Sequence, residues 1–313
     1  MSSLIAITDC DHPSIELERS IFSAAGYETR LARAHTPGQV IEAGRGAAAL
    51  LTQYAPVTAA VFEALPDCRV VGRYGAGVDN IDVGAASARH VGVVSVPDYS
   101  VSEVSDHALA LLLALSRGVV GLDRAVHAGM WDFRATGEIR RTGSLLLGVV
   151  GMGRIGRALA TKAQAVGFRV IGHDPFITAV EGIPLVGLDE LLASADAVSL
   201  HVPLSDATRH MIDAAALARM RSGVLLVNTS RGGLVDQTAL LAALVSGHVG
   251  GAALDVVESE PLGADDPLLA LPNVVVTPHA GFYSRESLEE LKRRVAEGIV
   301  RALASESDAV ESR

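Results

Sequence analysis

Residues 145–156, LLLGVVGMGRIG, restrict what this chain can fold into more than any other stretch. The first half is wholly apolar, the pattern of a strand covered on both faces of a sheet. The second half, Gly151, Met152, Gly153, Arg154, Ile155 and Gly156, is a complete G-x-G-x-x-G. The residues that follow, RALATKAQAVG, place Ala158, Leu159, Ala163 and Val166 at helical spacing and end on Gly167, a natural helix stop. Strand, glycine turn and helix therefore stand in the order of a dinucleotide-binding unit. In such a unit the glycines permit a tight turn, close approach of a pyrophosphate and close helix–strand packing. The free N–H groups at the helix start then face the phosphates.

A chain with 31 glycines will produce this spacing by accident somewhere, so context decides. A second strand, residues 169–173 (RVIGH), ends in Asp174. An acid about 20 residues beyond the glycines, at the end of a strand, is where a ribose diol is gripped. A glycine turn beside a surface aspartate explains fewer of these features together. No Arg follows Asp174, whose neighbours are Pro175 and Phe176, and a carboxylate repels a 2′-phosphate. The expected cofactor is NAD rather than NADP.

Composition excludes several classes. The 313 residues suffice for two domains, and 49% hydrophobic residues with few aromatics is a soluble globular profile. A net charge of −10 without a basic cluster argues against a nucleic-acid partner. Cys10 and Cys68 are the only cysteines, so no disulfide framework is implied and a reducing cytoplasm fits. The start, MSSLIAITDC, lacks signal-peptide features, and no apolar run approaches membrane-spanning length. A cytoplasmic protein with no membrane partner is expected. No metal is expected either. Asp9, Cys10, Asp11 and His12 have ligand chemistry on paper, but no second cluster follows.

Short apolar strands alternate with helices from the start: strands at residues 4–8, 27–32, 47–52, 70–74 and 91–96, helices at 13–25 and 82–89, with Pro13 near a first turn. Repeated βα units imply a parallel sheet with helices on both faces. This block is complete before the glycine motif, so it forms a separate domain. Within it, Arg73-Tyr-Gly-Ala-Gly-Val-Asp-Asn-Ile-Asp82 leaves backbone N–H groups bare at Gly75 and Gly77. From spacing alone this is either a nest for a small carboxylate or a glycine turn capped by Asp79. Residues 101–117 are so apolar all round that a buried helix is expected. Residues 119–141, with Trp131, show no core pattern of their own and read as an arm, with dimerisation the leading role.

Beyond the glycine unit, strands at 197–201, 224–228, 251–256 and 274–277 alternate with helices at 188–193, 214–220 and 237–246, giving the six strands of a complete dinucleotide fold. Ligands of open parallel sheets sit outside the strands' carboxyl ends. There the sequence places Asn228-Thr-Ser-Arg231, Asp255-Val-Val-Glu-Ser-Glu260 and Thr277-Pro-His279-Ala-Gly281. Taken singly, Arg231, Glu260 and His279 are a surface cation, a loop acid and a loop histidine. Together they can bind a carboxylate, orient an imidazole and transfer a proton. His201 and His210 form another possible pair, though each alone reads as a strand-end or helix-edge histidine.

At this point the chain resembles the D-isomer-specific 2-hydroxyacid dehydrogenases, the family of phosphoglycerate, glycerate and D-lactate dehydrogenases. The resemblance rests on RYGAGVDNID, VPDYSVSEVSDHALALLL, GVVGMGRIG, HVPLSDATRHMI, LLVNTSRGGLVD, ALDVVESEPL and NVVVTPHAG, in that order. It implies two doubly wound α/β domains of Rossmann-like and flavodoxin-like type, with the cofactor domain (99–282, dimerisation arm at about 119–141) inserted into a substrate domain (1–98 with 283–313). It also implies a homodimer. Arg231, Glu260 and His279 would be catalytic. Gly151, Gly153, Arg154, Ile155, Gly156, Asp174, His201, Val202, Pro203, Thr208, Thr229, Ser230, Arg231, Asp255, His279 and Gly281 would hold NAD. Tyr74, Gly75, Ala76, Gly77 and Val78, with Arg231 and His279, would hold a 2-keto or 2-hydroxy acid of the glycerate, hydroxypyruvate or 3-phosphoglycerate kind.

Two rival readings share the fold. One is an NAD(H)-sensing corepressor-like protein, since the VPDY and DHALALLL region is similar to that branch; the intact trio and the lack of a long tail weigh against it. The other is a relative acting on formate or phosphite. Specificity is expected in loops near Tyr54, Tyr74, Tyr99 and Trp131.

Overall fold

The computed structural model describes residues 3–311. They form two compact units, one running to Tyr99 and resuming at Ser284, the other comprising Ser100–Tyr283. The first begins β1 (Leu4–Ile7), α1 (Glu16–Ala24), β2 (Glu28–Leu31), α2 (Pro37–Gly44), β3 (Ala49–Thr52), α3 (Ala59–Ala64), β4 (Val70–Arg73), α4 (Val83–Ala88) and β5 (Gly92–Val94). Its sheet is parallel throughout in the order β2-β1-β3-β4-β5, the flavodoxin-like winding. Every residue of β3 is buried, as a strand covered on both faces requires. Helix α1 starts at Glu16 rather than near Pro13, and the Glu16 N–H is taken by the Ser14 hydroxyl at 3.1 Å.

The second unit comprises α5 (Val101–Ser116), α6 (Val119–His127), β6 (Leu146–Val150), α7 (Arg154–Ala165), β7 (Arg169–His173), α8 (Leu188–Ser194), β8 (Ala197–Leu200), α9 (Ala214–Arg219), β9 (Val224–Asn228), α10 (Gln237–Val245), β10 (Val249–Leu254) and β11 (Val274–Val276). Its six strands are parallel in the order β11-β10-β9-β8-β6-β7. Leu185 adds a rudimentary further strand beside Gly172 of β7, held by a Gly172 N–H bond to Pro184 at 2.9 Å and a Val186 N–H bond to Gly172 at 2.9 Å. With that edge, the chain winds outward from β6 in both directions. The switch point lies between β6 and β8, where open α/β sheets take ligands.

Helix α5 is buried on one face only, through Val104, Ser105, Ala108, Leu111, Leu112 and Ser116. That face packs on α7, β9 and β10, while Leu109, Leu113 and Leu115 are half-covered. The chain then returns to the first unit as α11 (Arg285–Glu311). Leu291, Val295, Ala296, Ile299 and Leu303 are buried, and the helix packs on α1, β4 and β5. The fit to β4 is close: a side-chain carbon on Gly72 would fall 2.5 Å from Ile299 Cδ1. Among the described residues, no helix is long and apolar enough to cross a membrane, and no cluster of three metal-ligating side chains forms.

Candidate active site

The carboxyl ends of the second unit's strands carry the polar residues, and local backbone needs explain how they are held. At β6, Gly151 adopts φ 94°, and a Cβ on it would meet the His201 carbonyl at 2.5 Å. A Cβ on Gly156 would fall 1.9 Å from the Gly151 oxygen. Both positions thus admit only glycine. Gly153 caps α7 with open space before it, and the N–H groups of Arg154 and Ile155 begin the helix there. At the end of β7, Asp174 accepts the Met152 N–H through Oδ2 and the Phe176 N–H through Oδ1, each at 2.9 Å. These bonds fix the carboxylate beside the glycine turn.

The next two strand ends carry buried polar atoms that the protein does not satisfy. The Nε2 of His201 meets the Ser199 hydroxyl at 2.8 Å, yet its Nδ1 is buried without a partner. The Oγ1 of Thr229 is likewise buried and unpartnered. Ser230 donates its hydroxyl to the Leu200 carbonyl at 2.7 Å, tying β9's end to β8's. The loop after His201, with half-buried Val202 and exposed Pro203, closes on Thr208, whose hydroxyl donates to the Pro203 carbonyl at 2.7 Å and accepts the Ser205 N–H at 2.8 Å. A helix N-terminus, a fixed acid and orphaned donors or acceptors along one sheet edge fit a dinucleotide such as NAD.

The trio stands on the far side of the switch point. Arg231 precedes a short 3-10 turn and donates Nη1 to the Ser230 carbonyl at 2.7 Å. The following Gly232 lies so close to the next loop that a Cβ would fall 1.9 Å from the Val257 carbonyl carbon. That contact sets the Arg231 loop beside the loop bearing Glu260. Glu260 Oε2 bonds His279 Nδ1 at 2.8 Å, and its Oε1 accepts the Val257 N–H at 3.2 Å. Burial pushes the Glu260 carboxyl up, but the hydrogen bond and charge of His279 and the Val257 amide outweigh it, leaving a net lowering. With Nδ1 held, His279 presents Nε2 outward from a ring that is 39% exposed.

Beneath this pair lies Asp255, only 2% exposed. Its Oδ1 accepts the Thr277 hydroxyl at 2.6 Å and the Ala280 N–H at 2.8 Å, and its Oδ2 accepts the Gly281 N–H at 2.8 Å. Burial raises its pKa, but bonds from His107, Thr277 and the two amides prevail and hold it below the usual carboxylate range. Asp255 and Gly281, both placed in the cofactor set, are thus joined to each other under His279. Sequence reasoning missed His107 and Thr277 as site residues. Both lie within the quoted VPDYSVSEVSDHALALLL and NVVVTPHAG stretches, where neither residue was singled out.

Other expectations need correction. His201 and His210 are not a pair: His201 bonds Ser199, while His210 Nε2 bonds Glu258 at 2.6 Å. In the first unit, Tyr74 is 3% exposed, donates its hydroxyl to buried Glu18 at 2.7 Å and stands edge-on to His12, so its side chain belongs to the core. Gly75 adopts φ 147° and its N–H closes on the Arg73 carbonyl at 2.9 Å. The bare amides of that loop are therefore those of Ala76, Gly77 and Val78. Asp82 closes the segment as the cap of α4, accepting the Ala85 N–H at 2.8 Å. The Asp9–His12 segment binds protein groups; Asp9 alone accepts the Tyr54 N–H at 2.6 Å and the Thr52 hydroxyl at 2.9 Å.

His201 supplies a pH test. Burial pushes its imidazole from 6.5 down to about 4, so the unfolded chain takes up a proton that the folded chain refuses between those values. Stability from this residue is complete above the unfolded pKa and is lost as pH falls toward the folded one. His201→Gln is expected to flatten that part of the stability–pH curve, measured by denaturant unfolding at stepped pH. A curve that superimposes on the unaltered protein's would contradict the buried neutral imidazole.

Comparison with known proteins agrees with this geometry. The model of the "D-isomer specific 2-hydroxyacid dehydrogenase, NAD binding domain" matches residues 109–281. D-3-phosphoglycerate dehydrogenase of Mycobacterium leprae is 43% identical over 266 residues, 83% of this chain but 49% of that protein; the chain spans about half that relative's length. Glyoxylate reductase of Korarchaeum cryptofilum is 44% identical over 253 residues, 78% of this chain and 76% of that protein. The D-lactate dehydrogenase of Aquifex aeolicus, solved with NAD and lactic acid, superimposes with a TM-score of 0.83 at 26% identity, covering 98% of this chain and 96% of that one. With its glycine turn, its Arg231, Glu260 and His279 loops and its two parallel sheets, the chain belongs to the D-isomer-specific 2-hydroxyacid dehydrogenase family and carries that family's NAD-binding domain.

Proposed function

We propose that the protein is an NAD-dependent D-2-hydroxyacid dehydrogenase, reversibly interconverting a 2-keto and a 2-hydroxy acid of the glycerate, hydroxypyruvate or 3-phosphoglycerate kind. The observation that carries this reading is the 2.8 Å bond from His279 Nδ1 to Glu260 at the mouth of an NAD-binding sheet. A bound nicotinamide would supply the hydride for C2 of the keto acid. The chain's own residues do the rest. Arg231 offers a planar, permanently charged fork that holds the substrate carboxylate and polarises the adjacent carbonyl. His279 Nε2 delivers a proton to the keto oxygen in reduction and removes it from the hydroxyl in oxidation. Glu260 orients the ring through its bond to Nδ1. Asp174, fixed by two backbone N–H groups, would hold the ribose diol and disfavour a 2′-phosphate. The bare amides of Ala76, Gly77 and Val78 suit a small carboxylate.

An NADH-oxidation screen over glyoxylate, hydroxypyruvate, pyruvate, longer 2-ketoacids and phosphohydroxypyruvate tests the reading. Turnover on at least one is expected, with NADPH much poorer than NADH. Arg231→Ala should abolish turnover, and His279→Ala should lower kcat by about 10²–10⁴-fold. A protein inert on every 2-ketoacid while still binding NADH would favour the nucleotide-sensing alternative. Equal efficiency with NADPH would refute the role of Asp174.

We further propose that the protein acts as a cytoplasmic homodimer joined through the arm at residues 119–141. No residue of α6 is buried, and beyond it Trp131 is 90% and Phe133 82% exposed, more apolar surface in one segment than a lone subunit ordinarily leaves bare. Light scattering after size exclusion should give the mass of a dimer, and of a monomer for a Trp131→Ser, Phe133→Ser double variant. A monomeric unaltered protein would rule the arm out.

A further inference from the structure

We propose that His107 is a positioning residue for the proton-transferring His279, acting through Thr277 and Asp255; this rests on the assignment of His279 made above. His279 is a non-glycine residue at φ 53°, a left-handed conformation that costs free energy unless its surroundings impose it. Its own N–H is taken by the Asp255 carbonyl at 2.8 Å and the Thr277 carbonyl at 2.9 Å. The amides of the two residues after it both close on the Asp255 carboxylate, each at 2.8 Å. One buried carboxylate therefore fixes the turn that aims the imidazole.

That carboxylate depends in turn on α5. The Thr277 hydroxyl gives its hydrogen to Asp255 Oδ1 at 2.6 Å, so its oxygen can only accept from His107 Nε2 at 2.9 Å. The proton of His107 is thereby assigned to Nε2, which also lies 3.3 Å from Asp255 Oδ1. No other histidine, lysine or arginine forms an ion pair with Asp255 among the described residues. Loss of the His107 N–H leaves the Thr277 oxygen without its donor and removes the ring lying 3.3 Å from the buried carboxylate, and the turn around His279 loosens.

Three variants decide the matter: His107→Leu removes the donor, His107→Gln restores an N–H at similar reach, and Thr277→Val breaks the relay without touching α5. Amide hydrogen exchange at residues 279–281, read by NMR, is expected to accelerate about tenfold or more in His107→Leu and Thr277→Val and to return toward the parent rate in His107→Gln. On the 2-ketoacid found in the screen, kcat should fall about 10–100-fold in the first two. KM for NADH should stay within about twofold, and His107→Gln should regain most of the rate. Parent-like exchange and kcat in both His107→Leu and Thr277→Val would overturn the proposal. So would losses that Gln fails to repair, or losses in kcat matched by equal losses in NADH affinity. If exchange responds as stated but His279→Ala keeps its turnover, the assignment of His279 fails instead, and the catalytic part of this proposal falls with it.

Discussion

A buried carboxylate is stable only when its oxygens are fully engaged, and Asp255 meets that condition with partners drawn from two places. Thr277 and the amides of Ala280 and Gly281 come from the loop after β11, and His107 from α5. The carboxylate itself hangs from the end of β10. Because β10 and β11 are parallel and adjacent, both deliver their C-terminal loops to one edge of the sheet. The folding requirement of Asp255 and the catalytic role proposed for His279 thus rest on the same turn. Glu260 completes the arrangement by fixing the ring that the turn presents.

The opposite side of the switch point works by exclusion rather than attraction. Gly151 and Gly156 remove side chains where backbone must approach backbone, and Asp174 is fixed by two N–H groups. Buried His201 Nδ1 and Thr229 Oγ1 are left without protein partners along the same edge. A site with unsatisfied polar atoms at one end and a fully satisfied carboxylate at the other combines a place for a ligand with a rigid place for chemistry.

Much of this was legible in the sequence, for a physical reason. A parallel strand covered on both faces must be apolar throughout, so β3, β6, β8 and β9 announce themselves, and the residues just after them are the site. Arg231, Glu260 and His279 were readable because each follows an apolar strand of the second sheet. Helices α2 and α3 were not read, though Thr36 and Gln39 form a capping box at the start of α2, with Pro37 in its first turn; the segment is short and its apolar period weak. His107 was hidden because one polar residue in an apolar helix carries no period, and its partner lies 170 positions away. Tyr74 misled for the opposite reason: it sits in a motif of ligand-binding type, yet Glu18, 56 residues earlier, draws its hydroxyl into the core. Pairings of distant side chains have no signature in local spacing.

The central claim is that His279 and a nicotinamide act on C2 of a 2-keto acid. The most direct test follows a label through a single turnover, using NADH deuterated on both positions of C4 and a 2-ketoacid that the protein accepts. The account predicts one deuterium at C2 of a D-2-hydroxy acid, read by NMR and mass spectrometry, and label transfer about 10²–10⁴-fold slower in His279→Ala. NADH consumed without deuterium at C2, or label transferred as fast without the His279 imidazole, would contradict it.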